Sequence, residues 1–180
     1  MINERAMTAA MKAYWRTKTG YIIAESHGKV MILGGPWAVI SSMRALPRKV
    51  LALIVEHLGT LPHSASFYVC KGQDAQVRIL EEDMATMGEL MSQAADAVQY
   101  CLPTPLRLNG FRVWQNLSTL KTDLMDQAYT DIVDPEADVS PMAAANGLAW
   151  LDGDEAVLIT RATHPDDGLL ERLDGFQWVR

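Results

Sequence analysis

The chain has 180 residues, of which 49% are hydrophobic and 21% charged. That length suits one domain with a sizeable core, and that composition is ordinary for a globular protein. No apolar run reaches the ~20 residues that span a bilayer, so no membrane partner is expected. The net charge of −6 hides an asymmetry: residues 1–80 carry ten Lys/Arg against four acids, a balance of +6, whereas residues 81–180 carry six against eighteen, a balance of −12.

The N-terminus has no short basic stretch leading into an apolar core, so a secretory signal is not expected. Cys70 and Cys101 sit in apolar surroundings and are too few for a disulfide framework. Buried, reduced thiols in a cytoplasmic protein are the expectation.

In chain order, Asn3 as N-cap and Gly20 as stop frame a helix over residues 4–18. Met7, Met11, Tyr14 and Trp15 fall on one side of it, and Arg5, Lys12 and Arg16 on the other. Residues 21–25 and 29–33 around Ser26-His27-Gly28 read as a hairpin, closed by Gly34-Gly35-Pro36. Residues 37–45 predict a short helical turn. Pro47 opens a core helix that stops at Gly59, and a second hairpin joins residues 66–71 to 75–80.

Glu81, Glu82 and Asp83 then favour the positive end of a long helix over residues 82–102. Its apolar positions Met84, Met87, Met91, Ala94, Val98 and Cys101 have heptad spacing. This stripe is either core packing or the seam of a homodimer built on residues 84–101. Residues 103–110 predict a loop, 111–115 a strand, and 118–133 a helix capped by Ser118. The acidic stretch 134–140 (DPEADVS) reads as a mobile connection. One helical turn at 141–145, a third hairpin (148–151 and 156–161), a turn-rich stretch at 164–168 and a last strand at 176–179 complete the chain. Hairpins separated by helices favour an α+β domain over residues 1–180: a mostly antiparallel or mixed sheet with three to four helices packed on it.

The charges are the candidate binding residues. Arg5, Lys12, Arg16, Arg48 and Lys49, with Lys18, Lys29 and Arg44 near them in sequence, present a basic contact for an anionic partner. Nucleic-acid affinity rests largely on neutralising phosphates, and Trp15 and Trp37 offer stacking surfaces. The pI of about 5.1 stands below the value above ~9 usual for nucleic-acid domains. Glu136, Asp138, Asp152, Asp154 and Glu155 form the acidic contact. They either dock against the chain's own basic half, face a basic partner, or imitate a phosphate backbone.

The four histidines lack the spacing of a zinc site. His164, Asp166 and Asp167 offer ligand types in a turn, and capping by the aspartates accounts for them. Nucleophile-elbow, P-loop and dinucleotide fingerprints are absent. Gly34-Gly35 after a strand can offer backbone N–H groups to an anion, although a hairpin end needs no such role. No cofactor or catalytic residue is assigned.

Residues 23–30 (IAESHGKV) resemble the hairpin often seen in the GNAT acyltransferase superfamily, where an acidic turn and Gly-Lys lead into the next strand. The match covers under a tenth of the chain. That family holds the acyl-CoA pyrophosphate with a Q/R-x-x-G-x-G/A loop opening the helix after its fourth strand. The corresponding residues 78–88 (RILEEDMATMG) lack that loop and place three acids where phosphates would bind, and only one helix precedes the hairpin. The resemblance implies an acyl-CoA-dependent transferase as the enzymatic alternative. The leading expectation is a non-catalytic binding or regulatory protein acting on a protein or protein–nucleic-acid partner, with direct nucleic-acid binding as a further alternative.

Overall fold

Short turns with left-handed residues create the antiparallel pairs from which the fold grows. In the computed structural model, which describes residues 1–17, 19–162 and 167–178, strands β1 (Tyr21–Ser26) and β2 (Lys29–Leu33) meet at His27-Gly28. Both turn residues have positive φ, the backbone that matches the twist of a two-residue hairpin. The buried Glu25 carboxylate fixes this turn, accepting from the backbone N–H of Gly28 at 2.7 Å and of Ser64 at 2.6 Å.

Strand β3 (Trp37–Ser42) pairs with β2, which corrects the helical turn predicted over 37–45. Its run WAVISS is rich in β-propensity. With a strand on each side and both faces covered, it shows no burial alternation to betray it. Gly34 permits the connection, since a Cβ there would lie 2.3 Å from the Trp37 indole. Close packing, not anion binding, accounts for that glycine.

Strands β4 (Ala65–Val69), β5 (Gln76–Val77), β9 (Met142–Ala144), β10 (Gly147–Asp152) and β11 (Glu155–Thr160) complete an antiparallel sheet of order β5-β4-β1-β2-β3-β11-β10-β9. The first and third hairpins match the sequence reading, while the second keeps only a two-residue outer strand. Strand β9 replaces the helical turn predicted at 141–145 because its backbone pairs with β10.

Side chains along a strand alternate between faces, and here the two faces differ in size. Ile23, Ile32, Trp37, Val39, Trp150 and Val157 lie in one cluster, while Ala24, Ala38, Ala149, Ala156, Met31 and Ile40 lie in the other. Helices α1 (Glu4–Arg16) and α2 (Arg48–Leu58) cover the bulky face with Met7, Met11, Val50, Leu53 and Ile54. Helix α3 (Leu80–Asp96) lies on the alanine-rich face through Met84, Met87, Leu90, Met91 and Ala94. The methionine stripe therefore packs on the sheet, with Met84, Met87 and Met91 each only partly buried.

A second sheet, β6 (Cys101–Leu108), β7 (Phe111–Asn116) and β8 (Thr122–Asp126), is also antiparallel. It overturns two expectations. The long helix stops at Asp96, so exposed Val98 is off the helix and Cys101 opens β6. Residues 103–108 are strand rather than loop, with Pro103 and Pro105 tolerated because β6 is an edge, where the register shifts between Pro103 and Arg107. The helix predicted over 118–133 is instead a turn, strand β8 and the short α4 (Gln127–Thr130). The Asn116 side chain accepts from the N–H groups of Ser118 and Thr119 at 2.9 and 3.0 Å, and Leu120 has positive φ. That reverses the chain onto β7 before a helix can start.

The C-terminal helix α5 (Asp167–Leu173) was not foreseen. Of the strand predicted at 176–179, residues 176–178 are irregular and Val179 lies outside the described residues. The turn predicted at 164–168 lies outside them through residue 166, and α5 begins at Asp167.

Asp83 ties α3 to the sheet. Its buried carboxylate accepts from Ser66 Oγ at 2.5 Å and from Arg78 Nε and Nη2, each at 2.9 Å. Burial alone would raise its pKa, but the Arg78 and Ser66 hydrogen bonds outweigh burial and hold it below the usual carboxylate range. Asp83→Ala should cost about 2–3 kcal/mol in urea unfolding, the scale of charge-assisted hydrogen bonds. Because the folded pKa is depressed, this stabilisation is complete above the unfolded Asp value of about 3.9 and is lost as pH falls through the lower folded value. Asp83→Asn should flatten that acid limb.

Candidate functional site

Asn3 Oδ1 caps α1 by accepting from the N–H groups of Arg5 and Ala6 at 3.1 and 3.3 Å. With Met7 and Met11 turned to the sheet, the helical period throws Arg5, Lys12 and Arg16 together onto the outer ridge, where all three are exposed. The eleven rises of 1.5 Å from Arg5 to Arg16 make this ridge about 16 Å long. Lys18 lies outside the described residues.

Helix α2 lies beside α1 and begins awkwardly. Its N-cap, Pro47, has no side-chain acceptor, and Arg48 and Lys49 occupy the turn where the helix dipole disfavours cations. Glu4 of α1 supplies the missing acid: its carboxylate accepts from Lys49 N at 3.1 Å and pairs with Lys49 Nζ at 3.0 Å. Those two hydrogen bonds hold the Glu4 carboxyl below its ordinary range. The structure thus brings all five predicted basic residues onto one two-helix layer but shares the charge of Lys49 with Glu4. Among the described residues, Arg5, Lys12, Arg16 and Arg48 make no ion pair.

The predicted acids fall into two groups. Glu136 and Asp138 are exposed on the 134–140 connection. At its start Asp134 N donates to Met1 O at 2.8 Å, and its Val139 packs against the core. Asp152, Asp154 and Glu155 occupy the β10–β11 turn, where Asp154 pairs with Lys29 at 3.2 Å and Glu155 accepts from Ser41 Oγ at 2.7 Å. Basic and acidic halves therefore meet within the molecule at that turn.

Trp37 is core, so it offers no stacking surface. Trp15 is half-buried and stacks on the His57 ring, centroids 4.4 Å apart at 10°, with Lys71 Nζ 5.8 Å from the Trp15 centroid. His57 Nδ1 lies 2.6 Å from the hydroxyl of buried Tyr21. Burial, with the charge of Lys12, lowers the His57 pKa against the opposing pull of Glu56. Burial, with the Glu56 charge, raises the Tyr21 phenol. Both shifts favour a neutral pair in which the phenol donates to Nδ1.

The opposite flank of α1 borders a groove of about 970 Å³ between that helix, the second sheet and the 134–140 connection. Ala6, Ala9, Ala10 and Ala13 form one wall, with Trp114 and Trp150 beneath. Sequence reading missed this site, although the alanines at i, i+3, i+4 and i+7 along one helix flank were its visible signal.

Nothing in the described residues assembles a metal site of three or more His, Cys, Asp or Glu side chains; His164, Asp166 and the Asp167 side chain lie outside them. No described helix is long and apolar enough to cross a membrane. Both cysteines are buried and unpaired, and burial with the charge of Asp123 pushes the Cys101 thiol up to about 11, which disfavours a thiolate at neutral pH. In the hairpin that resembles the acyltransferases, Glu25 is spent on its own turn, and Glu81, Glu82 and Asp83 disfavour a phosphate at the start of α3.

No protein-family model matches the chain, and no curated protein matches it. Among solved structures it is similar to the DNA polymerase III subunit beta DnaN sliding clamp of Bartonella birtlesii LL-WM9, at 10% identity and a TM-score of 0.35, over 98% of this chain and 68% of that one. It is similar also to a putative DNA polymerase III beta subunit from Eubacterium rectale ATCC 33656, at 10% identity and a TM-score of 0.35, over 97% and 67%. Likenesses this distant carry neither activity nor assembly over to this chain.

The His57 geometry makes a measurable demand. A histidine whose folded pKa is depressed destabilises the fold once it must take a proton, so stability should fall as pH drops through the ordinary value of about 6.5. Thermal unfolding at neutral and mildly acid pH should show that loss in the native chain and less of it in His57→Gln.

Proposed function

We propose that this is a non-catalytic intracellular binding or regulatory protein that works through its charged surfaces. Arg5, Lys12, Arg16 and Arg48 meet an anionic surface on a protein or protein–nucleic-acid partner, with Lys49 held in reserve by Glu4. Glu136, Asp138 and Asp152 are the acids left to face a basic surface, because Asp154 and Glu155 already have internal partners. One observation carries the reading: four exposed cations lie on two adjacent helices and make no ion pair among the described residues. Charges so placed steer association and fix orientation more than they hold a fold together.

Random-sequence duplex DNA and heparin are the probes. If all four cations meet phosphates, duplex affinity should fall roughly a hundredfold between about 50 and 200 mM salt. Lys12→Glu combined with Arg16→Glu should weaken binding at least about tenfold at low salt, whereas Glu4→Gln, which releases Lys49, should tighten it. No detectable binding of either probe at low salt, or binding indifferent to the double reversal, overturns the basic-surface reading.

A further inference from the structure

Residues 168–178 are held differently from the strands they lie against. None of them is buried, Phe176 stands exposed, and no side chain among them joins either core cluster. Polar contacts to β7, β8 and the turn between them fasten the segment instead. Gln115, fully buried on β7, commits both ends of its amide to the segment's main chain. Its Nε2 donates to Phe176 O at 2.6 Å, and its Oε1 accepts from Trp178 N at 2.9 Å. The Asp174 carboxylate accepts from Thr122 N at 2.6 Å and from Thr122 Oγ1 at 2.9 Å, and Gly175 N donates to Leu120 O at 3.2 Å. Docking also brings two acids together. Burial raises the Asp123 carboxyl, Arg161 opposes the rise, and the charge of Asp174 adds to it.

We infer that residues 168–178 occupy a peptide-docking site on their own chain, and that an Asp-Gly peptide of a partner protein replaces them there. The two sides of the contact are unequal. Gln115 and Thr122 face each other across the β7–β8 ladder, so the receiving groups keep their places whether or not the segment is present. The segment itself can leave, because local opening costs least where buried apolar contacts are few. What the site grips defines its occupant. Thr122 takes a carboxylate, and Gln115 takes a main-chain carbonyl and an N–H two and four residues after that acid. Gly175 between them has positive φ, the backbone that favours glycine. Main-chain hydrogen bonds of this kind supply affinity in peptide recognition. The site uses none of the residues of the basic or acidic contacts, so it stands apart from the proposed function.

Fluorescence polarisation with a labelled peptide of residues 168–178 (GLLERLDGFQW) tests the inference on the full chain. The native chain should bind it weakly, since the tethered segment competes for the same groups. Asp174→Ala loosens that segment and leaves Gln115 and Thr122 intact. The variant chain should therefore bind the labelled peptide at least about tenfold tighter than the native chain does, the scale of one charge-assisted hydrogen bond. A peptide that itself carries Asp174→Ala should bind the variant chain at least about tenfold more weakly. Hydrogen exchange of the native chain gives an independent readout. The Gly175 and Trp178 amides should exchange through a local opening, at least about tenfold faster than the amides of the β7–β8 ladder. No saturable binding by the Asp174→Ala chain, equal affinity for the two peptides, or exchange of Gly175 and Trp178 only together with the ladder overturns the inference.

Discussion

Strands β1, β3, β10 and β11 place large side chains on one face and an alanine each on the other, and that difference sets where α1, α2 and α3 sit. The bulky face accepts two helices whose methionine, valine and isoleucine side chains fill the spaces between strands. The alanine-rich face lets one long helix approach closely, with flexible methionines taking up the irregular gaps. Each fully buried Ile, Leu or Met on these faces is worth about 1.5–3 kcal/mol, so reversing the alternation in a single strand would disturb both layers.

The position of α1 follows from that packing, and its surface roles follow from its position. One helix serves four directions: methionines inward, Arg5, Lys12 and Arg16 outward, Glu4 toward α2, and alanines toward the groove. The charge asymmetry of the sequence becomes partly internal once folded. Lys29–Asp154, Lys49–Glu4, Arg78–Asp83 and Arg161–Asp123 all consume charge inside the molecule. Among the described residues, the outer ridge of α1 and Arg48 remain outside these pairs, as do exposed Arg44, Lys71 and Arg107.

Legibility from sequence tracked the range of the forces involved. His27-Gly28 and Asp152-Gly153 announce hairpins by turn chemistry, and Asn3 and Pro47 announce helix starts, because each acts over a few residues. The missed strands owe their state to partners distant in sequence. Strand β3 is held between β2 and β11, β9 against β10, and β8 against β7 once Asn116 has turned the chain. Leu117, Leu120 and Leu124 matched a helical period by coincidence, since a run of apolar residues near a turn satisfies more than one template. Arg5, Lys12 and Arg16 were legible as a stripe and Arg48 and Lys49 only as later cations in the same half of the chain, and the Glu4–Lys49 contact joins two helices and could not be read from either. The groove needed the second sheet and the 134–140 connection to close it.

The proposed function requires the outer face of α1 and the first turn of α2 to be the contact surface for anions. Amide chemical-shift mapping of the chain with a heparin oligosaccharide at low salt addresses that claim residue by residue. Perturbations should concentrate at Arg5, Lys12, Arg16 and Arg48 and their helical neighbours, and should fade as salt is added. Perturbations centred elsewhere, with that face unmoved, would contradict it.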